Sequence, residues 1–368
     1  MDRAETERVE QHPLFQRVER VRRHTGKVRG ETVTLAHGGG GKAMRNLIQD
    51  VFLREFGNPE LEKFEDQASF ALNDLSTLGN RLAFTTDSYV VDPIFFPGGD
   101  IGTLAVNGTV NDLAVGGALP LYLSCGFIIE EGFPIRDLRR VAASIKQAAL
   151  DAGVTIVAGD TKVVHRGAAD KLFINTSGIG VIRNDVDISA GYAQAGDVVI
   201  INGSLGDHGV AILAARGDLA LETEIESDCQ ALNGLTEAIF GACREVHCMR
   251  DLTRGGLATA LNEFALASEV GIRLHEKELR MRPEVVGTCE LLGFDPLYLA
   301  NEGKLAVVAP ARHSDSIVEA MHAHPTGREA RVIGEVMEAP RGVVLLNTQF
   351  GGERIVDMLV GEQLPRIC

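Results

Sequence analysis

Residues 37–44 read HGGGGKAM, set between the apolar run VTLAH (33–37) and the helical pattern KAMRNLIQDVFLREF (42–56). A strand, a glycine run and a helix suit several folds, and the flanking residues separate them. A Walker A loop needs Gly at 36 and Ser or Thr at 43, where this chain has Ala36 and Ala43. Gly38, Gly40 and Ala43 satisfy the dinucleotide pattern in form. That fold also expects a second strand ending on an acid roughly 20 residues later. NPELEKFED (58–66) stands there and has no strand core. An anion cradle fits better. His37, Gly38, Gly39, Gly40, Gly41 and Lys42 can turn several backbone N–H groups toward one anion, and the helix N-terminus adds partial positive charge. A simple flexible turn is the plain alternative.

Outward from this loop, apolar extended runs alternate with helical patterns. RLAFTTDSYVVDP (81–93) reads as a strand and DIGTLAVNGTVNDLAVGG (100–117) as a helix of small residues closed by two glycines. YLSCGFIIE, VTIVAGDTKVV and KLFINTSGIGVI read as strands, with IRDLRRVAASIKQAALDAG an amphipathic helix among them. Near Gly191 the pattern restarts with the strand GDVVIINGSLG and the helix DHGVAILAARG; TRGGLATALNEFALASEV is helical and KLAVVAP a strand. Neither half keeps strict βαβ regularity, so the expected class is α+β, in two packed halves. The expected divisions are an extension over 1–30, halves over 31–190 and 191–360, and a mobile tail over 361–368.

Composition narrows the partners. The formal net charge of −15 and the absence of Trp argue against a nucleic-acid partner. No apolar run approaches the roughly 18 residues that span a bilayer, so no membrane partner is expected. Residues 1–30 carry eight Arg/Lys against five Asp/Glu and no apolar stretch of an export signal, with a helix expected near Leu14 to Arg22. Six cysteines in 368 residues do not form a disulfide framework, and the cytoplasm is the expected compartment. Cys229, Cys243, His247 and Cys248 lack the paired spacing of a zinc knuckle and read as packing residues.

Acids stand at the ends of apolar segments: Glu65 and Asp66 in EDQASF, Asp87 in TTDSY, Asp112 beside Asn111 in TVNDLA, and Asp160 in GDTK. Each alone could be a turn former or a cap. Together they suggest one carboxylate cluster holding magnesium against nucleotide phosphates. In the second half, GDHG (206–209), DLTRGG (251–256) and NEGK (301–304) pair charged residues with glycine turns; Arg254 could serve phosphate or bridge Asp251. The chain ends on PRIC. A terminal thiol at Cys368 is expected to be exposed, unless Ile367 and Cys368 pack against the body.

The ordered set HGGGGKAM, EDQA, TTDSYVVDPIFFPGGDIG, NDLA, GDTKVV, GDHG, DLTRGG, NEGK and terminal PRIC resembles the HypE family of hydrogenase maturation factors, from about Thr32 to Cys368. That family belongs to the ATP-binding superfamily of aminoimidazole ribonucleotide synthetase. The resemblance implies a two-domain fold, a homodimer built through strands of the N-terminal halves, and ATP with Mg2+ as cofactors. It implies that a carbamoyltransferase, HypF, loads Cys368, and that ATP then drives dehydration of the carbamoyl group to a thiocyanate. The cyano group would pass to iron on a HypC–HypD complex and become a cyanide ligand of [NiFe]-hydrogenase. By the same analogy Lys162 and Glu302 remove protons; Asn111, Thr161 and Arg254 join the glycine loop in holding nucleotide; Asp66, Asp87, Asp112 and Asp160 hold the metal. The alternatives are a selenophosphate synthetase, whose glycine loop would carry a reactive Cys, a thiamine-monophosphate kinase, and a non-catalytic ATP-binding scaffold. Eight residues from Gly361 could reach about 26–29 Å at roughly 3.3–3.6 Å each, enough for a swinging arm.

Overall fold

The chain enters the fold through Thr32, which bridges Pro134, and Val33, whose N–H donates to the Phe133 carbonyl at 2.8 Å. The structure is a computed structural model describing residues 13, 26–28, 30–217, 223–359, 361, 364 and 366–368. The helix expected near Leu14 to Arg22 lies outside them. VTLAH is not the expected strand. His37 Nδ1 accepts from the Thr34 N–H at 2.9 Å and folds Leu35–Gly38 into a 3-10 turn that leads into the glycine loop. Helix α1 then runs through Lys42–Leu47, a π turn over Ile48–Phe52, and Leu53–Phe56, stopping at Gly57 as expected. The π turn lays Phe52 against Phe127, ring centroids 4.4 Å apart.

After α2 (Leu72–Ser76) come β1 (Arg81–Tyr89), β2 (Phe95–Phe96), β3 (Gly99–Asp100), α3 (Ile101–Val115), β4 (Ala118–Glu130), α4 (Ile135–Ala152), β5 (Thr155–Val164) and β6 (Leu172–Ile182). Asp100 starts α3: its carboxylate accepts from the Gly102 and Thr103 N–H groups at 2.8 and 3.0 Å, and its own N–H donates to Thr103 Oγ1. Almost every side of α3 is buried, which its Ala, Gly and Thr residues permit. Helix α4 buries Leu138, Val141, Ala142, Ile145 and Ala149 at helical spacing and ends where Gly153 turns left-handed at φ +69°. The sheet order is β1-β6-β4-β5, antiparallel except for the parallel pair β4–β5 joined through α4.

The second half contains β7 (Asp197–Ile201), α5 (Asp207–Arg216), α6 (Asn233–Ala242), β8 (Cys248–Asp251), α7 (Gly256–Ala267), β9 (Gly271–His275), α8 (Pro283–Leu292), β10 (Leu305–Pro310), α9 (Ser314–His322), β11 (Arg331–Met337), β12 (Val343–Asn347) and β13 (Glu353–Val356). Its seven-stranded sheet runs β13-β12-β9-β11-β7-β10-β8 and is parallel only between β12 and β9. The mixed pairing makes the fold α+β. Val115 and Val186 pack with Leu232, Leu235 and Ile239, so apolar side chains cross from one half to the other. Cys243 and Cys248 lie in separate apolar clusters, and His247 Nδ1 sits 2.7 Å from Asp197 Oδ2. No helix among the described residues is long and apolar enough to cross a membrane.

The Asp100 cap generates a stability prediction. Asp100→Ala should lower unfolding free energy by about 0.5–2 kcal/mol, the usual worth of an N-cap. Urea denaturation should show a lower midpoint with an unchanged slope.

Candidate active site

The residues singled out in the sequence gather at two places, at opposite edges of the four-stranded sheet. On β1, Asp87 lies opposite Thr176, which lies opposite Cys125 and then Gly159. Thr176 Oγ1 donates to the Ala105 carbonyl of α3, so this row faces the helix side. Asp160 belongs to the next row and, with Lys162, faces the other way, because side chains alternate along a strand. Three strand spacings of about 4.8 Å put β1 and β5 roughly 14 Å apart. The expected single carboxylate cluster is therefore not formed within one chain. Among the described residues, no three His, Cys, Asp or Glu side chains converge to hold a metal.

At the β5 edge, Lys162 Nζ lies 3.1 Å from Asp160 Oδ2, and both side chains are more than half exposed. This setting suits a phosphate-neutralising cation better than a base held neutral by burial. Gly38 packs so tightly on β5 that a Cβ there would meet Val163 N at 2.7 Å. Gly39, Gly40, Gly41 and Lys42 stay exposed, with Gly40 at φ +72°. His37 accepts twice at Nδ1, from Thr34 N–H and Thr34 Oγ1, and burial lowers its pKa; the neutral ring carries its proton on Nε2. Asp66, Gly159, Asp160 and Thr161 line a cavity of about 220 Å3 together with Phe52 and Phe127.

At the β1 edge, Thr85 Oγ1 donates to Asp112 Oδ2 at 2.9 Å, and burial with the nearby Asp87 charge raises the Asp112 pKa. Asp251 is pushed up to about 7 by burial and then by Asp112. The Asp87 charge opposes ionisation of both Asp112 and Asp251. Two carboxylates fit a magnesium ion that takes its other ligands from water and phosphates. Arg254 does not bridge Asp251 as one reading expected; it lies 3.8 Å from Asp87, and its charge acts to lower the Cys368 thiol pKa. Glycines present it: Gly255 and Gly256 both have positive φ, and a Cβ on Gly256 would meet the Leu297 carbonyl at 2.5 Å. Asn111 is not free for nucleotide. It is buried, its Nδ2 donating to the Gln230 carbonyl and its Oδ1 accepting from Leu232 N–H, so it ties the two halves together.

The tail is docked between these groups. Ile367 and Cys368 are buried in the core of the first half rather than exposed. The Cys368 carboxylate accepts from Val90 N–H and the Arg366 carbonyl from Asp92 N–H, each at 3.2 Å. Arg366 takes the left-handed conformation and pairs with Asp170 and Asp92. Sequence reasoning missed two anchors. His208 Nε2 donates to the Ile367 carbonyl at 2.8 Å while its Nδ1 accepts from Ser227 Oγ, and Arg216 Nη2 donates to the Arg366 carbonyl at 3.0 Å. The GDHG motif was the available signal for His208. Its partner lies 159 residues away.

Glu302 faces this seat. It is buried, its Oε1 has no hydrogen-bond partner, and its pKa is raised well above the usual carboxylate range by burial and then by Asp251, Asp228 and Asp87. The Cys368 thiol is pushed up to about 12 by burial and Glu302, against the lowering effect of Arg254.

The two halves match models described as AIR synthase related protein, the N-terminal domain over residues 65–182 and the C-terminal domain over 194–347. A relative from Rhodobacter capsulatus, the carbamoyl dehydratase HypE, is 57% identical over 341 residues, covering 93% of this chain and 99% of that protein. A solved HypE structure in complex with ATP superposes with a TM-score of 0.86 at 48% identity, covering 92% of this chain and 100% of that one. A HypE–HypF complex matches with a TM-score of 0.74 at 46% identity, over 85% and 99% of the respective chains. The chain belongs to the HypE family.

Two outcomes follow for the tail. Removing one buried hydrogen bond, typically worth about 0.5–1.5 kcal/mol, His208→Ala should speed alkylation of Cys368 two- to tenfold without changing that of denatured protein. The second concerns pH. Burial favours the neutral thiol, so docking is fully present below the free thiol pKa near 9.0 and is lost as pH rises toward about 12. Tail release, followed by a fluorophore near the C-terminus, should increase across that interval in the parent and remain flat in Cys368→Ala.

Proposed function

We propose that this protein is an ATP-dependent carbamoyl dehydratase acting on its own C-terminal cysteine, supplying a cyanide ligand for the iron of a [NiFe]-hydrogenase. The observation that carries this reading is the docked Cys368, with its thiol against Arg254 and the buried Glu302 beside Asp87 and Asp112. HypF, the partner in a relative's complex, would load the carbamoyl group, and a HypC–HypD scaffold would receive the cyano group. The functional unit is a homodimer. Leu82, Phe84 and Ile128 are exposed on the outward face of β1 and β4, where a second copy would cover them. That arrangement would bring the glycine loop, Asp160 and Lys162 of one copy toward Asp87, Asp112 and Cys368 of the other.

The chemistry balances as follows. The carbamoyl oxygen attacks the γ-phosphorus of ATP; a new O–P bond forms, the bond to ADP breaks, and one N–H proton leaves to water. The C–O bond to phosphate then breaks as the second N–H proton leaves, giving the S–C≡N group. Magnesium bound at Asp87 and Asp112 would offset carboxylate and phosphate charge. Arg254 steadies the sulfur end of the group. Glu302, whose buried carboxyl favours the protonated form beside the docked tail, passes that proton to the departing phosphate oxygen and takes the nitrogen's proton on its other oxygen. Lys162 faces the triphosphate as a cation.

Mass spectrometry of the C-terminal peptide tests this reading. With the transferase, carbamoyl phosphate, ATP and magnesium, the peptide should gain a carbamoyl mass and then lose one water. Glu302→Gln should accept the carbamoyl group but dehydrate it about 10²–10⁴ times more slowly. Modification of Cys125, Cys229, Cys243, Cys248 or Cys289 with an unmodified tail would refute it.

A further inference from the structure

Tyr89 closes the row of β1 side chains that face α3. Thr85 bonds Asp112 on that helix, and by strand alternation Asp87 and Tyr89 point the same way. The next residue, Val90, gives its N–H to the Cys368 carboxylate, so the phenol stands one residue from the seat of the tail. Tyr89 is 1% exposed and shares an apolar cluster with Ile367 and Cys368. Helix α3 makes room for its hydroxyl at Gly108, where a Cβ would fall 2.2 Å from Tyr89 Oη. Glycine weakens a helix interior, and a phenylalanine at 89 would fill the apolar space without that concession.

The hydroxyl so accommodated makes no bond. Tyr89 Oη and Glu302 Oε1 are both buried without a hydrogen-bond partner. The nearby Thr109 hydroxyl is spent, donating to Thr176 Oγ1, which donates onward to the Ala105 carbonyl. Burial raises the Tyr89 pKa well above the usual phenol range, and the charges of Asp87, Glu302 and Asp112 add to it, so the phenol keeps its proton. An unpartnered buried hydroxyl costs folding free energy. A donor kept in that state within reach of the Glu302 charge has a use in turnover. When Glu302 passes its proton to the departing phosphate oxygen, negative charge develops on a buried carboxyl whose Oε1 has no donor. A phenol donates more strongly to a carboxylate than to a carboxylic acid.

We propose that Tyr89 is a positioning residue for Glu302, its hydroxyl donating to Oε1 as the carboxyl gives up its proton during dehydration. This role rests on the dehydratase activity proposed above. No covalent bond to the phenol forms or breaks, and its proton stays on oxygen. Single-turnover dehydration of the carbamoylated full-length protein, followed by the mass of the C-terminal peptide, tests it in a double-mutant cycle. Tyr89→Phe should accept the carbamoyl group and bind ATP as the parent does. It should dehydrate about ten- to hundredfold more slowly, the worth of a hydrogen bond to a charged group. Its urea midpoint should equal or exceed the parent's, because no bond of the resting fold is removed. Adding Tyr89→Phe to Glu302→Gln should slow that variant no further. Parent-rate dehydration by Tyr89→Phe, a lowered midpoint, or losses that multiply in the double variant would overturn the role of Tyr89 and leave the dehydratase standing. Parent-rate dehydration by Glu302→Gln would instead remove the role of Glu302 itself, and that of Tyr89 with it.

Discussion

A β-strand shows each side chain to one face only, and the site of this protein is laid out by that alternation. Asp87 and Asp160 both end apolar runs, and a linear reading places them together. The register sends Asp87 toward α3 and Asp160 away from it, at opposite edges of the sheet. No side-chain rotation brings both onto one ion across roughly three strand spacings. Under the proposed function, phosphate held by the glycine loop at one edge and the thiol presented at the other call for a second copy to close the site. The outward face of the same sheet, with Leu82 and Phe84 more than half exposed, offers the apolar area for it.

Within the β1 half-site, the position of Glu302 depends on a buried ion pair. Asp228 accepts from Lys304 Nζ with one oxygen and from the Glu302 N–H with the other. Breaking such a pair would strand a charge in the interior, so the loop has little freedom. Gly303 is required because a Cβ there would fall 2.0 Å from the Asp228 carbonyl. Asn301 finishes the turn, donating to the Leu252 and Leu299 carbonyls and accepting from Gly206 N–H. NEGK is therefore three residues of scaffold around one carboxyl. Glu302 Oε1 is left without a partner, and burial favours the carboxyl's protonated form.

What the sequence disclosed follows the range of the interactions involved. The helices over 101–115 and 135–152 were legible because their caps and apolar spacing are local. The apolar runs leading to Asp87 and Asp160 were legible for the same reason, although both acids lie inside β1 and β5 rather than at their ends. VTLAH misled because five residues carry little periodicity and one histidine nitrogen turned the segment. Asn111 misled because its amide is spent on a segment about 120 residues away. His208, Asp228 and Asp251 act on the tail or on Glu302 through contacts that no local pattern announces.

The docked seat also constrains the order of events. Attack on an incoming carbamoyl donor requires a thiolate, yet burial above all opposes thiolate at Cys368, and the Asp87 charge adds to it. Loading inside the seat would work against both. A sulfur already bearing a carbamoyl group is uncharged, as is the thiocyanate it becomes, so both escape the penalty. The seat thus discriminates between states of the tail by charge: it rejects the nucleophile and accepts the loaded carrier. On the proposed function, loading belongs outside, on a partner's surface, and dehydration inside, where His208 and Arg216 hold the backbone of the tail.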